Sequence, residues 1–136
     1  MSRPHRLSIV LCLLGLLAAC AGPAAPTATA KPEGVVVTFR VADVENYKIR
    51  LTDPADIEIA RKLLAGQAAP AIPNGIVVRG DPDVNVGYAW HIDPASVEFA
   101  DLTTEVCDGL PSDVEKATVT SDRYCPWSAK VIGIDG

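Results

Sequence analysis

The residues of this chain able to do chemistry crowd into its last third. His91 lies between Trp90 and Ile92, two residues before Asp93. It is the one ordinary general base left once the first residues are set aside as a leader. A hydrolytic arrangement would pair it with Asp93 or Asp108 as orienting acid and Ser96 or Ser128 as nucleophile. Nothing in the spacing demands that arrangement, and a histidine beside a strand tryptophan is commonly a structural group. Glu98, Asp101, Glu105, Asp108, Asp113 and Glu115 supply carboxylates of the kind glycoside hydrolysis uses in pairs. The same residues read equally as a solvated acidic face. Asp81, Asp83 and Asn85 alternate like the first ligands of a calcium loop. Val86 stands where that loop needs glycine, and Ile92 where it needs a bidentate acid, so the metal reading is weak. Trp90, Trp127, Tyr88 and Tyr124 are candidates for an aromatic platform; Trp127, two residues from Cys125, is expected instead to pack on a disulfide.

These residues sit on elements that the local sequence announces. VVVTFRV (35–41) and YKIRL (47–51) are β-branched or alternating and flank a turn, which predicts a hairpin. Asp53-Pro54 opens a helix with a capping carboxylate and a proline at its first position. Its acids come early and Arg61 and Lys62 late, as the helix dipole favours. Ile57, Ala60 and Leu64 form its apolar stripe, and Gly66 ends it. Residues 67–74 read as a proline-containing loop, then GIVVR (75–79) as a short strand, 80–87 as a polar loop and YAWHI (88–92) as a strand. Val97–Val106 reads as a longer strand with a bulge near Asp101. Ser112 to Glu115 matches a capping box and predicts a short helix over 113–118. Ala129–Ile134 is the last strand, with Ile132 and Ile134 on one face and Val131 on the other. The expected class is α+β: a mainly antiparallel sheet of about five or six strands, one main helix, one short helix and one disulfide.

The amino terminus concerns location. Arg3, His5 and Arg6 precede the apolar run LSIVLCLLGLL (7–17), which is too short to span a bilayer and has the length of a secretory h-region. Leu17-Ala18-Ala19-Cys20 then resembles the lipobox of bacterial lipoprotein signal peptides. That resemblance implies cleavage before Cys20, a diacylglycerol on its sulfur and an added N-acyl chain such as palmitate. Two or three chains anchor far more firmly than one. Ala21 rather than Asp follows Cys20, which in that class implies the outer membrane where the source has two. The expected organisation is a signal peptide at 1–19, a lipidated Ala/Pro/Thr-rich tether at 20–33 and one globular domain at 34–136.

Export also bears on charge and thiols. The whole chain carries a formal charge of −5 from 12 basic and 17 acidic residues. Loss of Arg3 and Arg6 leaves 10 basic against 17 acidic residues, or −7. An acidic domain repels phosphate backbones, which argues against nucleic acid. There is no phosphate-cradling glycine loop, and no cofactor is expected. Cys107 and Cys125 are an even pair in an exported chain, so a disulfide is their default state. It closes a loop of about 18 residues and contributes ~3 kcal/mol on loop entropy.

The runs Trp90-His91-Ile92-Asp93-Pro94, Val97-Glu98-Phe99, Glu105-Val106-Cys107-Asp108-Gly109, Pro111 to Glu115 and Cys125-Pro126-Trp127-Ser128 together resemble the N-terminal domain of the cAMP-inducible prespore protein family. Leu51 to Pro54 and Leu63 to Gly66 fit as well. The segment between Glu115 and Cys125 is shorter and poorer in aromatics than in that family. The resemblance implies a small exported domain and no particular reaction. The function expected from all this is a lipid-anchored, non-catalytic cell-envelope binding domain. Its candidate contacts are Trp90, His91, Asp93, Glu98 and Asp108, and its partner is an envelope protein or glycan. The alternatives are a small hydrolase using His91 and a calcium-stabilised module.

Overall fold

The β-branched run at the start of the domain builds the hairpin on which the rest packs. Strands β1 (Val35–Val41) and β2 (Glu45–Leu51) pair antiparallel from Val35 opposite Leu51 to Val41 opposite Glu45. Val35, Val37, Phe39 and Val41 alternate inward from β1, and Tyr47, Ile49 and Leu51 from β2; all are buried. This computed structural model describes residues 33–136. The expected leader, the lipid-bearing Cys20 and the tether as far as residue 32 lie outside the described residues.

The main helix follows as its capping signals predict. Helix α1 (Pro54–Leu64) has Asp53 at its N-cap, accepting from the Ala55 amide at 2.7 Å. Ala60 is fully buried and Ile57 packs beside it, whereas Leu64 is exposed. The helix therefore rests on a narrower stripe than its sequence suggests.

Strand β3 (Ile72–Arg79) begins three residues before the expected GIVVR. Pro73 is no obstacle, because only one partner pairs with that stretch and its missing N–H leaves no ladder position empty there. The length of β3 is divided among three short antiparallel partners. Val77–Arg79 pair with β4 (Trp90–Ile92), Ile72–Asn74 with β5 (Glu98–Ala100), and Gly75 and Ile76 with β6 (Arg123–Tyr124). A 3₁₀ turn at Pro94–Ser96 joins β4 to β5.

The last strand, β7 (Lys130–Asp135), pairs with β1. The fold is thus α+β with antiparallel sheets, but the described residues hold seven strands in two sheets rather than five or six in one. The register of β7 shifts between Thr38 and Phe39, leaving Ile132 unpaired. This bulge flips the phase of the strand. Val131 and Ile134 therefore pack on the core together while Ile132 is exposed, where simple alternation separates Val131 from Ile134.

Two further expectations are corrected. The strand over 97–106 stops at Ala100, and 105–107 is a 3₁₀ turn. The second helix, α2 (Pro111–Glu115), starts two residues early, with proline at its first position. The Asp113 carboxylate accepts from the Leu110 amide at 2.9 Å. Ser112 and Glu115, the expected box, are used elsewhere. The Ser112 amide donates to Glu45 and the Glu115 carboxylate accepts from the Ala89 amide.

The polar loop 80–87 covers the second face of β2. Arg50, which alternation places outward, is buried beneath it and makes a two-pronged pair with Asp83 at 3.1 and 3.3 Å. Asn85, 1% exposed, accepts from the Lys48 amide and donates to the Trp90 carbonyl. At the hairpin tip Ala42 and Asp43 have φ of 49° and 59°. That conformation strains alanine. Ser128 accepts from the Ala42 amide, and Lys130 pairs with the Asp43 carboxylate, which is held below its usual range by that lysine.

These contacts set two stability changes of opposite sign. Asp83→Ala leaves Arg50 buried without its carboxylate and should cost about 3 kcal/mol in urea unfolding. Ala42→Gly relieves the positive φ and should add about 0.5–1 kcal/mol, readable as a rise of a few degrees in thermal midpoint.

Candidate functional site

The two tryptophans have exchanged the places their surroundings suggest. Trp90 is in the core, 1% exposed. Its ring lies 5.5–6.1 Å from those of Tyr47, Tyr88 and Tyr124. Trp127 is 42% exposed rather than packed inside. Its indole N–H donates to the Thr103 hydroxyl at 2.7 Å, and its amide donates to the Asp108 carboxylate at 2.9 Å.

That surface tryptophan marks a region bolted together across a gap in sequence. The expected disulfide between Cys107 and Cys125 is formed, with Cα atoms 5.1 Å apart. The Cys125 amide donates to the Cys107 carbonyl beside it at 2.8 Å. The disulfide, the backbone bond and Asp108 together fix the segment after β6 against the segment after β5. The connecting loop, 101–106, which runs into the 3₁₀ turn at Glu105–Cys107, therefore holds its shape without strand pairing. It presents Leu102 and Val106 to solvent.

Beside this loop is a groove of about 350 Å³. One wall is a closed polar triad drawn from three strands. Asn74 on β3 donates to Glu98 on β5 at 2.8 Å, as the pairing register of the two residues allows. Arg123 on β6 donates from Nε to the Asn74 carbonyl oxygen at 2.8 Å and from Nη2 to the same Glu98 oxygen at 2.9 Å. Both ends of the Asn74 amide are thereby used, so its orientation is fixed. Phe99, Leu102, Thr103, Thr104 and Ser121 also line the groove. The triad pairs one negative with one positive charge, and the groove is polar without being strongly charged.

The other sequence candidates go elsewhere. His91 is half-buried, and its Nδ1 donates to the Asp81 carbonyl at 2.6 Å. Asp93 caps the 3₁₀ turn by accepting from the Ala95 amide. Ser96 accepts from the Ile76 amide and donates to the Asp93 carbonyl. The acid, base and hydroxyl that a hydrolytic reading needs are thus each engaged with backbone, and Ser128 is held by Ala42. In the loop whose acids only partly match a calcium site, Asp81 accepts from the Asp83 amide, Asp83 holds Arg50 and Asn85 holds Lys48. A guanidinium supplies the positive charge that the acidic loop requires. Among the described residues no group of three or more His, Cys, Asp or Glu side chains is placed to hold a metal ion.

Of the expected contact residues, Glu98 lines the groove, Asp108 positions Trp127 beside it, and Trp90, His91 and Asp93 lie apart. Asn74, Arg123, Thr103, Thr104 and Ser121 are new to the site. No local signal in the sequence marks them, because strand pairing over 24 to 49 residues brings the triad together.

The tyrosines of the core are strongly shifted. Burial holds the Tyr47 hydroxyl well above its usual range. Tyr124 is pushed far up, chiefly by burial and then by Tyr47, and its hydroxyl donates to the Gly109 carbonyl, which only the protonated form can do. Tyr88 is raised by burial and by Glu45.

The tyrosine shifts make an alkaline prediction. Below the ordinary tyrosine range near pH 10, their contribution to stability is complete. Above it the unfolded chain ionises while folded Tyr47 and Tyr124 do not, so stability falls as pH rises. The slope should approach about 2.7 kcal/mol per pH unit for the two residues. Absorbance at 295 nm should show their tyrosinate only as the circular-dichroism signal of the fold is lost. Ionisation of all three tyrosines in the folded state would refute it.

A family model, that of the BP-74 N-terminal domain, matches residues 33–135. No curated protein and no solved structure was found to match the chain. The family match spans most of the chain. It covers the whole residue pattern from Trp90 to Ser128 that carries the resemblance to the prespore protein domain.

Proposed function

The chain belongs to the family of that N-terminal domain, and we propose that this member is a non-catalytic, lipid-anchored binding domain of the cell envelope. Its ligand is taken at the groove between the Asn74–Glu98–Arg123 triad and the 101–106 loop. The observation that carries this reading is Trp127. A large aromatic side chain is held at the surface by Asp108 and Thr103, next to exposed Leu102 and Val106. Exposed apolar groups gathered around a polar-lined recess are characteristic of recognition surfaces. The acids and hydroxyls that would suit hydrolysis serve as caps and amide acceptors. That commitment favours recognition over catalysis.

The anchor rests on sequence. The basic-then-apolar leader and Leu17-Ala18-Ala19-Cys20 favour acylation of Cys20, with outer-membrane placement where the source has two membranes. The Ala/Pro/Thr-rich stretch that follows suits a spacer lifting the domain from the bilayer.

In-cell photo-crosslinking tests the proposal. A photoreactive residue at position 102 should give a discrete adduct that the same probe at exposed Lys62 does not. Cys20→Ser should move the protein from the membrane to the soluble fraction. Equal labelling from both positions, or a Cys20→Ser chain still held in the membrane, overturns it.

A further inference from the structure

The groove's chemistry is specific enough to name a ligand class. Glu98 uses one carboxylate oxygen for both Asn74 and Arg123, and its other oxygen has no hydrogen bond among the described residues. Arg123 spends Nε and Nη2 on the triad and the Ser96 carbonyl, and its Nη1 likewise has none. The Thr104 hydroxyl contacts only the Cys107 sulfur, at 3.7 Å. Ser121 accepts from the Arg123 amide and keeps its own proton to donate. The groove lining therefore offers an acceptor, a donor and amphoteric hydroxyls, with Glu98, Arg123 and Asn74 held in place by one another. Phe99 and Leu102 add apolar surface.

Three ligand types compete for such a site. An anion at the open Nη1 of Arg123 also meets the Glu98 carboxylate, which lies 2.9 Å from Nη2, and a cation at the open Glu98 oxygen also meets the guanidinium. Each ion is therefore repelled by one half of the pair that attracts it. A polypeptide strand needs a row of unpaired backbone groups, and β5, the edge strand that lines the groove, is only three residues long. A neutral polyhydroxylated ring meets neither repulsion. Each of its hydroxyls both donates and accepts, and its C–H faces suit the apolar surface. Resting on the binding role proposed above, we infer that the groove is a saccharide-binding site for a neutral oligosaccharide. Glu98 and Arg123 read ring hydroxyls, Asn74 holds both in position, and the Thr104 and Ser121 hydroxyls add further bonds.

The test is calorimetric titration of the full-length chain in detergent with chitotetraose, cellotetraose and maltotetraose, and with tetragalacturonate as the anionic comparison. At least one neutral sugar should bind with Kd below about 1 mM, and more tightly than tetragalacturonate. Glu98→Ala should weaken that binding by about tenfold or more. Thr104→Val should weaken it measurably with the thermal midpoint unchanged, which keeps the test decisive if Glu98→Ala disturbs the strands. Failure of all three neutral sugars, tighter binding of tetragalacturonate, or binding indifferent to Thr104→Val overturns the inference. A crosslinked adduct at position 102 without sugar binding would defeat the saccharide assignment alone. Sugar binding without an adduct in cells would defeat the envelope role alone.

Discussion

The two sheets of the domain are held together by contacts between rings, Phe39 on Phe99 and, more extensively, Tyr47 on Trp90 and Tyr124. The sheet of β2, β1 and β7 and the sheet organised on β3 share no ladder of backbone hydrogen bonds. They are joined where Tyr47 of β2 meets Trp90 of β4 and Tyr124 of β6, with centroids 5.3–6.1 Å apart and the Tyr124 ring edge-on to both. Such arrangements match the positive edge of one ring to the negative face of another. The cluster ties the β4 and β6 partners of β3 to the hairpin. The disulfide, Asp108, Trp127 and the groove all hang from β6 and its neighbours, so their placement inherits from these three rings.

Local sequence disclosed what local forces decide. The hairpin was legible because β1 is β-branched and loosely alternating and its two strands flank a tight turn. Helix α1 was legible because Asp53-Pro54 is both a cap and a compatible first turn. The disulfide was legible from chemistry, since an exported pair of thiols has one default. What failed was whatever long-range pairing overrides. Alternation over 101–106 imitates a strand, but cross-links to β6 hold that stretch as a loop. The bulge at Ile132 reverses the phase of β7, and bulges leave little trace in composition. The capping-box motif at Ser112 was real as a pattern, yet Pro111 is a better first residue and Asp113 reaches back to Leu110.

The candidate site was less legible than the fold, for the same reason. Two tryptophans of identical chemistry take opposite places, and the neighbour that decides each lies far away in sequence. Trp90 meets Tyr47 across the sheets, while Trp127 is drawn outward by Thr103 and Asp108. The loop bearing Asp81, Asp83 and Asn85 has the composition of a cation site. The cation it meets is Arg50, 33 residues earlier on a strand whose outward position suits a solvated charge. Glu98 was recognised as an acid, but its meaning comes from Asn74 and Arg123.

The division of β3 among three short partners also shapes how the molecule breathes. Hydrogen exchange reports openings that range from local fraying to global unfolding, in cooperative groups. β1 is paired along both edges, to β2 over seven positions and to β7 over five. Its amides should be released only by global unfolding. β3 has no partner longer than three pairs. Its short pairings can open one at a time, while Tyr47 keeps Trp90 and Tyr124 seated on the hairpin and Phe39 does the same for Phe99 of β5. A ligand can therefore loosen one pairing beside the groove without parting the sheets.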